Sequence, residues 1–125
     1  MKKRLFDIHP CVTTHHIGQK YILLTNKDTN TDLTQIAVTR LKAGEMAKEH
    51  LHPTMEEFFL FQKGDAIMTV GEEQIACSSG DFISIPANTP HSLTYIIHSG
   101  FISGYQNRYG DNLKPPTNVY HRMTA

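Results

Sequence analysis

Short runs of strand-forming residues, separated by turn-forming residues at nearly regular intervals, constrain the fold of this chain more than any other feature. Runs rich in Ile, Val, Phe, Thr and Tyr cover residues 21–25, 34–41, 50–52, 57–62, 66–70, 73–77, 82–86, 91–98 and 101–107. No window of about a dozen residues keeps apolar positions at helical spacing without interruption by Gly, Pro or β-branched residues. The pattern therefore predicts an all-β protein, either a sandwich or a small barrel of about nine strands.

The length of the chain and its balance of charge limit the domain count and the classes of partner. A chain of 125 residues suits one domain, so we expect a single domain over residues 1–125. Its barrel core should span residues 20–108, and residues 110–125 should form an extended arm or tail. The 12 Lys and Arg residues balance the 12 Asp and Glu residues, which argues against binding to nucleic acid or to an anionic membrane. No apolar run is long enough to span a bilayer.

The cysteines and the first residues bear on the cellular compartment. Cys11 and Cys77 are too few for a disulfide framework and too far apart for a CxxC motif. The basic first four residues are followed by Asp7, His9 and Pro10, which interrupt any apolar signal region. These features lead us to expect a cytoplasmic protein.

Histidine is unusually frequent, with eight residues in the chain, and three of them fall in a suggestive pattern. His50 and His52 lie two positions apart in a predicted strand, so their side chains should share one face. The next strand brings Glu57 to the inward side, with Glu56 as the alternative, and His91 begins a later strand. Surface histidines would explain any one of these positions alone. Three imidazoles and one carboxylate inside an apolar barrel instead indicate a site for Fe, Mn, Ni, Co, Cu or Zn.

These residues fit two motifs of a known superfamily, and on them the chain resembles the cupins. The first motif is similar to Gly-x5-His-x-His-x4-Glu-x6-Gly and is filled by Gly44, His50, His52, Glu57 and Gly64. The second is similar to Gly-x5-Pro-x-Gly-x2-His-x3-Asn, of which Gly80, Pro86 and His91 are present. Asn88 replaces the usual Gly, and Asn also tolerates a left-handed turn. Tyr95 replaces the usual Asn, which changes the pocket lining without removing a metal ligand.

The resemblance implies an antiparallel double-stranded β-helix, or jelly-roll barrel, that holds one divalent transition metal ion on His50, His52, Glu57 and His91. Four protein ligands leave about two positions of an octahedral ion open to a substrate or to dioxygen. We therefore expect a metal-dependent enzyme that acts on a small oxygen-containing metabolite, with dioxygenase-like chemistry favoured. A metal-assisted isomerase and a non-catalytic cupin that binds a metal or small molecule are the alternatives.

Two further expectations concern the pocket and the assembly. Alternation along the strand from His91 places Tyr95 on the inward side, so Tyr95 is a candidate catalytic residue. The run of residues 58–61 is apolar on both faces, which suggests cover on both sides and hence a homodimer. A small-molecule ligand is the other expected partner, and neither nucleic acid nor a membrane is expected.

Overall fold

The chain folds into antiparallel strands joined by short turns. The computed structural model describes residues 1–13, 16–95 and 100–108, and only the backbone for 101–103 and 105–108. The described strands are β1 (Cys11–Val12), β2 (Gln19–Thr25), β3 (Leu33–Leu41), β4 (Met46–His50), β5 (Met55–Lys63), β6 (Ala66–Val70), β7 (Glu73–Cys77), β8 (Phe82–Ile85), β9 (His91–Tyr95) and β10 (Gly100–Arg108). Helical structure in this part of the chain is limited to two 3-10 turns, Leu5–Asp7 and Asn26–Asp28. The all-β prediction is confirmed.

The strands form two sheets that enclose the core. The larger sheet has the order β1-β2-β3-β10-β5-β8, and the smaller sheet has the order β4-β9-β6-β7. Every described strand pair is antiparallel. No described residue belongs to a helix with the length and hydropathy needed to cross a membrane. Because neighbours in each sheet are often distant in sequence, residues from separate segments meet inside the barrel.

Side-chain alternation fixes which residues enter the core. In both β6 and β9, buried positions alternate with half-buried ones along the whole strand. The two-residue turn between β6 and β7 places Gly71 at a positive φ of 59°, a conformation that such tight hairpin turns require and that glycine adopts at little cost. The large apolar side chains that are at most 2% exposed are Tyr95, Phe61, Met68, Ile85, Leu41 and Val70.

The strand boundaries agree with the sequence pattern in most places. The predicted strands over residues 66–70 and 73–77 are confirmed at both ends. The predicted strand over residues 50–52 is wrong, because β4 ends at His50 and His52 lies in the following loop. Proline at position 53 has no backbone N–H to continue a ladder and restricts the residue before it. The predicted strand over residues 91–98 is described only to Tyr95, and residues 110–125 lie outside the described part of the chain.

The apolar run in β5 serves both faces of the larger sheet. Phe61 is fully buried, and Phe59 faces the interior of the barrel. On the opposite face, Phe58 and Leu60 are half-buried, and the Phe58 ring stacks on Phe82 with ring centroids 6.2 Å apart. Phe82 remains 60% exposed. The outer face of this sheet therefore carries an exposed aromatic patch, while the homodimer stays a prediction.

Candidate metal centre

The four predicted ligands come together at one end of the barrel. His50, the last residue of β4, is the register partner of His91, the first residue of β9. Glu57 lies on the inward face of β5, and His52 lies in the loop between β4 and β5. One ligand atom from each of the four residues lies within 4.8 Å of the others. Of the two adjacent carboxylates considered from the sequence, Glu57 is the one that joins this cluster.

Backbone carbonyl groups orient two of the imidazole rings. Nδ1 of His50 lies 2.7 Å from the carbonyl oxygen of Lys48, and Nδ1 of His91 lies 2.8 Å from that of Thr89. A carbonyl oxygen only accepts hydrogen bonds, so each Nδ1 carries the proton and donates it. Nε2 of each ring is then the atom available to a metal, as in histidine ligands whose other nitrogen is fixed by a backbone acceptor.

Glu57 is the electrostatic centre of the cluster. It is only 5% exposed, and its Oε1 lies 2.6 Å from Nε2 of His52 and 3.1 Å from Nε2 of His91. Burial alone would raise the pKa of Glu57, but its close contacts with Nε2 of His52 and Nε2 of His91 outweigh burial and hold the pKa well below its usual range. A buried carboxylate in this position needs a proton or a cation between itself and the ring nitrogens.

Contact with Glu57 favours the protonated form of His52. The hydrogen bond with Glu57 raises the pKa of His52, against the opposing effects of burial and of the positive charge of Lys20. Because a metal ligand must be unprotonated, a divalent ion would displace this proton. The donor set therefore fits a transition metal ion that accepts imidazole nitrogen together with one carboxylate oxygen.

Two loops hold the ligands in place. The backbone N–H of Asn88 donates to the carbonyl oxygen of His52 at 2.7 Å, which ties the loop of His52 to the loop before His91. Asn88 has a φ of 60°, so the left-handed turn expected at this position is confirmed. These contacts connect two ligands that are distant in sequence.

A cavity of about 360 Å³ opens from the cluster into the barrel. Apolar residues form much of its wall, among them Phe59, Met68, Leu41 and Leu93. Its polar lining outside the four ligands comprises Lys20, Gln35, Thr39, Thr13 and Ser92. A pocket of this size and mixed character suits a small molecule with a few polar groups.

Tyr95 lies deeper in the barrel than the cluster does. It faces inward, as the alternation predicts, but it is four residues beyond His91, about 13 Å along the strand. It is absent from the described cavity lining, its side chain is fully buried, and its hydroxyl has no hydrogen-bond partner among the described residues. A catalytic role for Tyr95 stays a prediction.

Lys20 is the cavity residue that the sequence pattern did not reveal. Its register partner across the β2–β3 ladder is Thr39, so both residues point to the same side of the sheet. A lysine in an alternating strand is ordinarily interpreted as solvent-exposed. The register with β3 is the observation that places Lys20 on the cavity side. Pairing the polar positions of β2 with those of β3 is the signal that could have found it.

Comparison with known proteins identifies the fold. Residues 37–96 match the family model of the cupin domain. An uncharacterized protein of Methanocaldococcus jannaschii is 33% identical over 61 residues, which cover 49% of each chain. The chain thus spans about half the length of the curated relative it matches.

Solved structures of low sequence identity share the architecture. A predicted oxalate decarboxylase from Thermotoga maritima aligns with a TM-score of 0.81 and 16% identity, over 87% of this chain and 100% of that one. KdgF from Halomonas sp. aligns with a TM-score of 0.68 and 18% identity, over 86% and 94% of the two chains. An oxalate decarboxylase from Lactobacillus farciminis aligns with a TM-score of 0.67 and 22% identity, over 83% and 32%. Together with the motifs and the cluster of three histidines and one glutamate, these matches show that residues 37–96 belong to a cupin domain and that the chain has the cupin fold.

Proposed function

We propose that His50, His52, Glu57 and His91 bind one divalent transition metal ion, and that the protein is a metal-dependent enzyme acting on a small oxygen-containing metabolite. One observation carries the proposal: four donor atoms lie within 4.8 Å of one another beside a cavity of about 360 Å³. A four-ligand set that borders a cavity leaves room for a substrate, whereas a closed structural site does not.

Different residues of the chain have different roles at such a site. When bound, the ion supplies Lewis-acid chemistry and, if it is redox-active, electron transfer toward dioxygen. Hydrogen bonds to the carbonyl groups of Lys48 and Thr89 fix the rings of His50 and His91, and Glu57 supplies the negative charge. The apolar wall limits water around the substrate.

Oxygenation is the favoured reaction because the cavity supplies few groups for proton transfer. Apart from the four metal ligands, the one titratable group in its described lining is the amine of Lys20. An isomerase that moves a proton between carbon atoms needs a base in reach of the substrate. A dioxygenase, which adds both atoms of dioxygen to its substrate, depends more on the metal. We therefore favour dioxygenase-like chemistry over metal-assisted isomerisation.

The structural neighbours support a small organic acid as the substrate. One neighbour is an oxalate decarboxylase and another is a predicted one, and oxalate is a small molecule rich in oxygen. Small organic acids, oxalate among them, therefore come first in the assay.

The test combines metal loading with a panel of substrates. Protein loaded with Fe(II), Mn(II), Ni(II) or Co(II) is offered small organic acids, diols and phenols, while oxygen uptake and carbon dioxide release are measured. Nuclear magnetic resonance of the same mixtures detects isomerisation. We expect oxygen uptake with at least one metal, and its loss in His52→Ala. Saturable ligand binding without turnover would instead establish the non-catalytic alternative, and silence in every combination would refute a small-metabolite function.

We also propose that the chain forms a homodimer in the cytoplasm. The aromatic patch of Phe58 and Phe82 on the outer face of the larger sheet supports an apolar contact between two copies. Light scattering should give twice the chain mass of 14.2 kDa, and Phe82→Glu should shift the mass toward the single-chain value. A wild-type mass of one chain at micromolar concentration would contradict the dimer.

A further inference from the structure

Lys20 presents a positive charge to the cavity that holds the candidate metal centre. It lies in β2, on the opposite sheet from His50 and His91, and it lines the same cavity as both. No ion pair or hydrogen bond engages its ammonium group within the described part of the chain. A half-buried lysine with these surroundings lacks a structural explanation.

The charges of the cavity indicate what kind of ligand could pair with Lys20. Setting aside the histidines, Lys20 and Glu57 are the charged side chains of the described lining, and their charges cancel. A divalent ion bound at the cluster would leave the cavity with an uncompensated double positive charge. Uncompensated charge in a partly desolvated cavity is unfavourable, and a ligand carrying two negative charges would neutralise it.

A neighbour of Lys20 can complete an anion site. Thr39 is its register partner on β3 and faces the same cavity, so its hydroxyl can donate beside the ammonium group. Both side chains can donate to a carboxylate or phosphate oxygen. Across β10 the register partner of Thr39 lies opposite Phe61, four residues along β5 from Glu57, so this pair lies away from the metal ligands.

We infer that Lys20 determines specificity for a small dianionic substrate, binding its distal acidic group while the other end of the molecule meets the metal centre. The inference rests on the metal-dependent function proposed above and names its substrate class. The distal group is an anionic oxygen group of either carboxylate or phosphate type, which the same donors would accept. Lys20 thereby acts in recognition, at a distance from the ligands that hold the metal.

The experiment measures anion binding to cobalt-loaded protein. The visible spectrum of Co(II) reports on its coordination, and each anion is titrated into wild type, Lys20→Met and Lys20→Arg. Malonate and phosphoglycolate each carry two acidic groups and serve as the dianions, the phosphate adding up to one further charge at neutral pH, whereas malonamate and glycolate are their singly acidic counterparts. Lys27→Met is the matched control, because Lys27 is an exposed lysine just after β2 and outside the cavity lining.

We expect wild type and Lys27→Met to bind a dianion at least about tenfold more tightly than its singly acidic counterpart. Lys20→Met should lose about tenfold in dianion affinity, keep its affinity for the counterparts and bind Co(II) no less tightly than wild type. Lys20→Arg should recover part of the loss. A larger effect on malonate than on phosphoglycolate would assign a carboxylate, and the reverse a phosphate.

Two results would overturn the role of Lys20: equal affinities for dianions and counterparts in wild type, or equal losses for both in Lys20→Met. The proposed function fails separately, if wild type takes up no Co(II). In that case the same titrations, followed by calorimetry of metal-free protein, decide whether Lys20 selects dianions.

Discussion

The two ends of strand β9 solve the problem of a buried polar group in different ways. At one end, His91 donates through Nδ1 to a backbone carbonyl and faces Glu57 through Nε2, beside an open cavity. At the other end, the hydroxyl of Tyr95 is buried, and no described residue forms a hydrogen bond with it. At the His91 end, donor atoms surround a point where a cation can bind. At the Tyr95 end, the ring is well packed although its hydroxyl has no described hydrogen-bond partner.

Packing explains why Tyr95 is tolerated at its end of β9, which we call the closed end; the His91 end, beside the cavity, is the open end. Its ring contacts an apolar cluster that includes Phe61, with ring centroids 6.5 Å apart. Gly64 and Gly100 lie against the ring, where a Cβ atom at either position would collide with it. An unpaired buried hydroxyl costs about 1–3 kcal/mol, which burial of the large ring can offset. The comparison teaches that only the open end has the chemistry of a binding site.

The largest effect is expected from removing the charge at the open end. Glu57→Gln keeps the shape of the side chain but removes the anionic ligand, so affinity for Co(II) should fall at least about a hundredfold. The matched control is Glu56→Gln, the adjacent carboxylate outside the cluster, which should bind Co(II) as wild type does. Spectroscopic titration measures both. Equal losses in the two variants would show that general charge, and not the cluster, attracts the metal.

The next effect concerns steric space at the closed end. In Gly100→Ala the new methyl group would overlap the Tyr95 ring and the carbonyl oxygen of Lys63, so unfolding free energy should fall by about 1–3 kcal/mol. The double variant of Gly100→Ala and Tyr95→Ala should lose less unfolding free energy than the sum of the two single variants, because removing the Tyr95 ring also removes its clash with the new methyl group. Urea unfolding of metal-free protein measures this cycle. Additive costs would mean that Gly100 and Tyr95 are not packed together.

A third prediction is that metal reverses the pH dependence of stability. In metal-free protein the hydrogen bond with Glu57 raises the pKa of His52 above 6.5, so its stabilising contribution is complete below that pH and disappears as pH rises through the folded pKa. Burial raises the pKa of Glu57, but the contacts with the histidines lower it further than burial raises it. Glu57 therefore stabilises the folded protein above its usual pKa of 4.5, and this contribution is lost as the pH falls below that value. The metal-free Tm should therefore fall above about pH 6.5.

Metal-loaded protein should show a slope of the opposite sign, beginning at a lower pH. Protons compete with the ion for the imidazole nitrogens, so its Tm should rise from about pH 5 to pH 7. Thermal scans of both forms at constant ionic strength make the comparison, with Glu57→Gln expected to flatten the metal-free slope. The same slope with and without Co(II) would contradict the assignment of His52 and Glu57 as ligands.

The smallest effect is expected from the Tyr95 hydroxyl itself. Tyr95→Phe removes an unpaired buried hydroxyl and keeps the ring, so the protein should be unchanged or stabilised by up to about 1 kcal/mol. Co(II) affinity should match wild type. Urea unfolding and metal titration provide the two readouts. A large loss of turnover with unchanged stability would instead support the catalytic role predicted for Tyr95.

The sequence was sufficient for the ligands because their signal is local or fixed by spacing. Alternation in β5 assigns Glu57 to the inward face, and the motif spacing selects it over Glu56. The wrong strand over residues 50–52 did not affect the choice of His52. That residue reaches the cluster from a loop, which Asn88 holds through a backbone hydrogen bond that no local pattern indicates.

Depth and register were the properties that the sequence could not provide. Alternation gives the face on which Tyr95 lies, but not its distance from the metal end of the barrel. The position of Lys20 depends on its pairing with Thr39, which is set by two strands folding together. Residues from distant segments become neighbours only through such pairing, so specificity-determining residues are the hardest to predict.

The most direct test of the metal centre is the metal content of protein produced without a histidine tag or a chelator. Inductively coupled plasma mass spectrometry gives the amount, and X-ray absorption at the edge of the bound metal identifies its nitrogen and oxygen neighbours. We predict one transition metal ion per chain, surrounded by imidazole nitrogen and carboxylate oxygen, and absent from Glu57→Gln. A protein that contains no transition metal, and takes up none when offered Mn(II), Fe(II), Co(II), Ni(II) or Zn(II), would contradict the account.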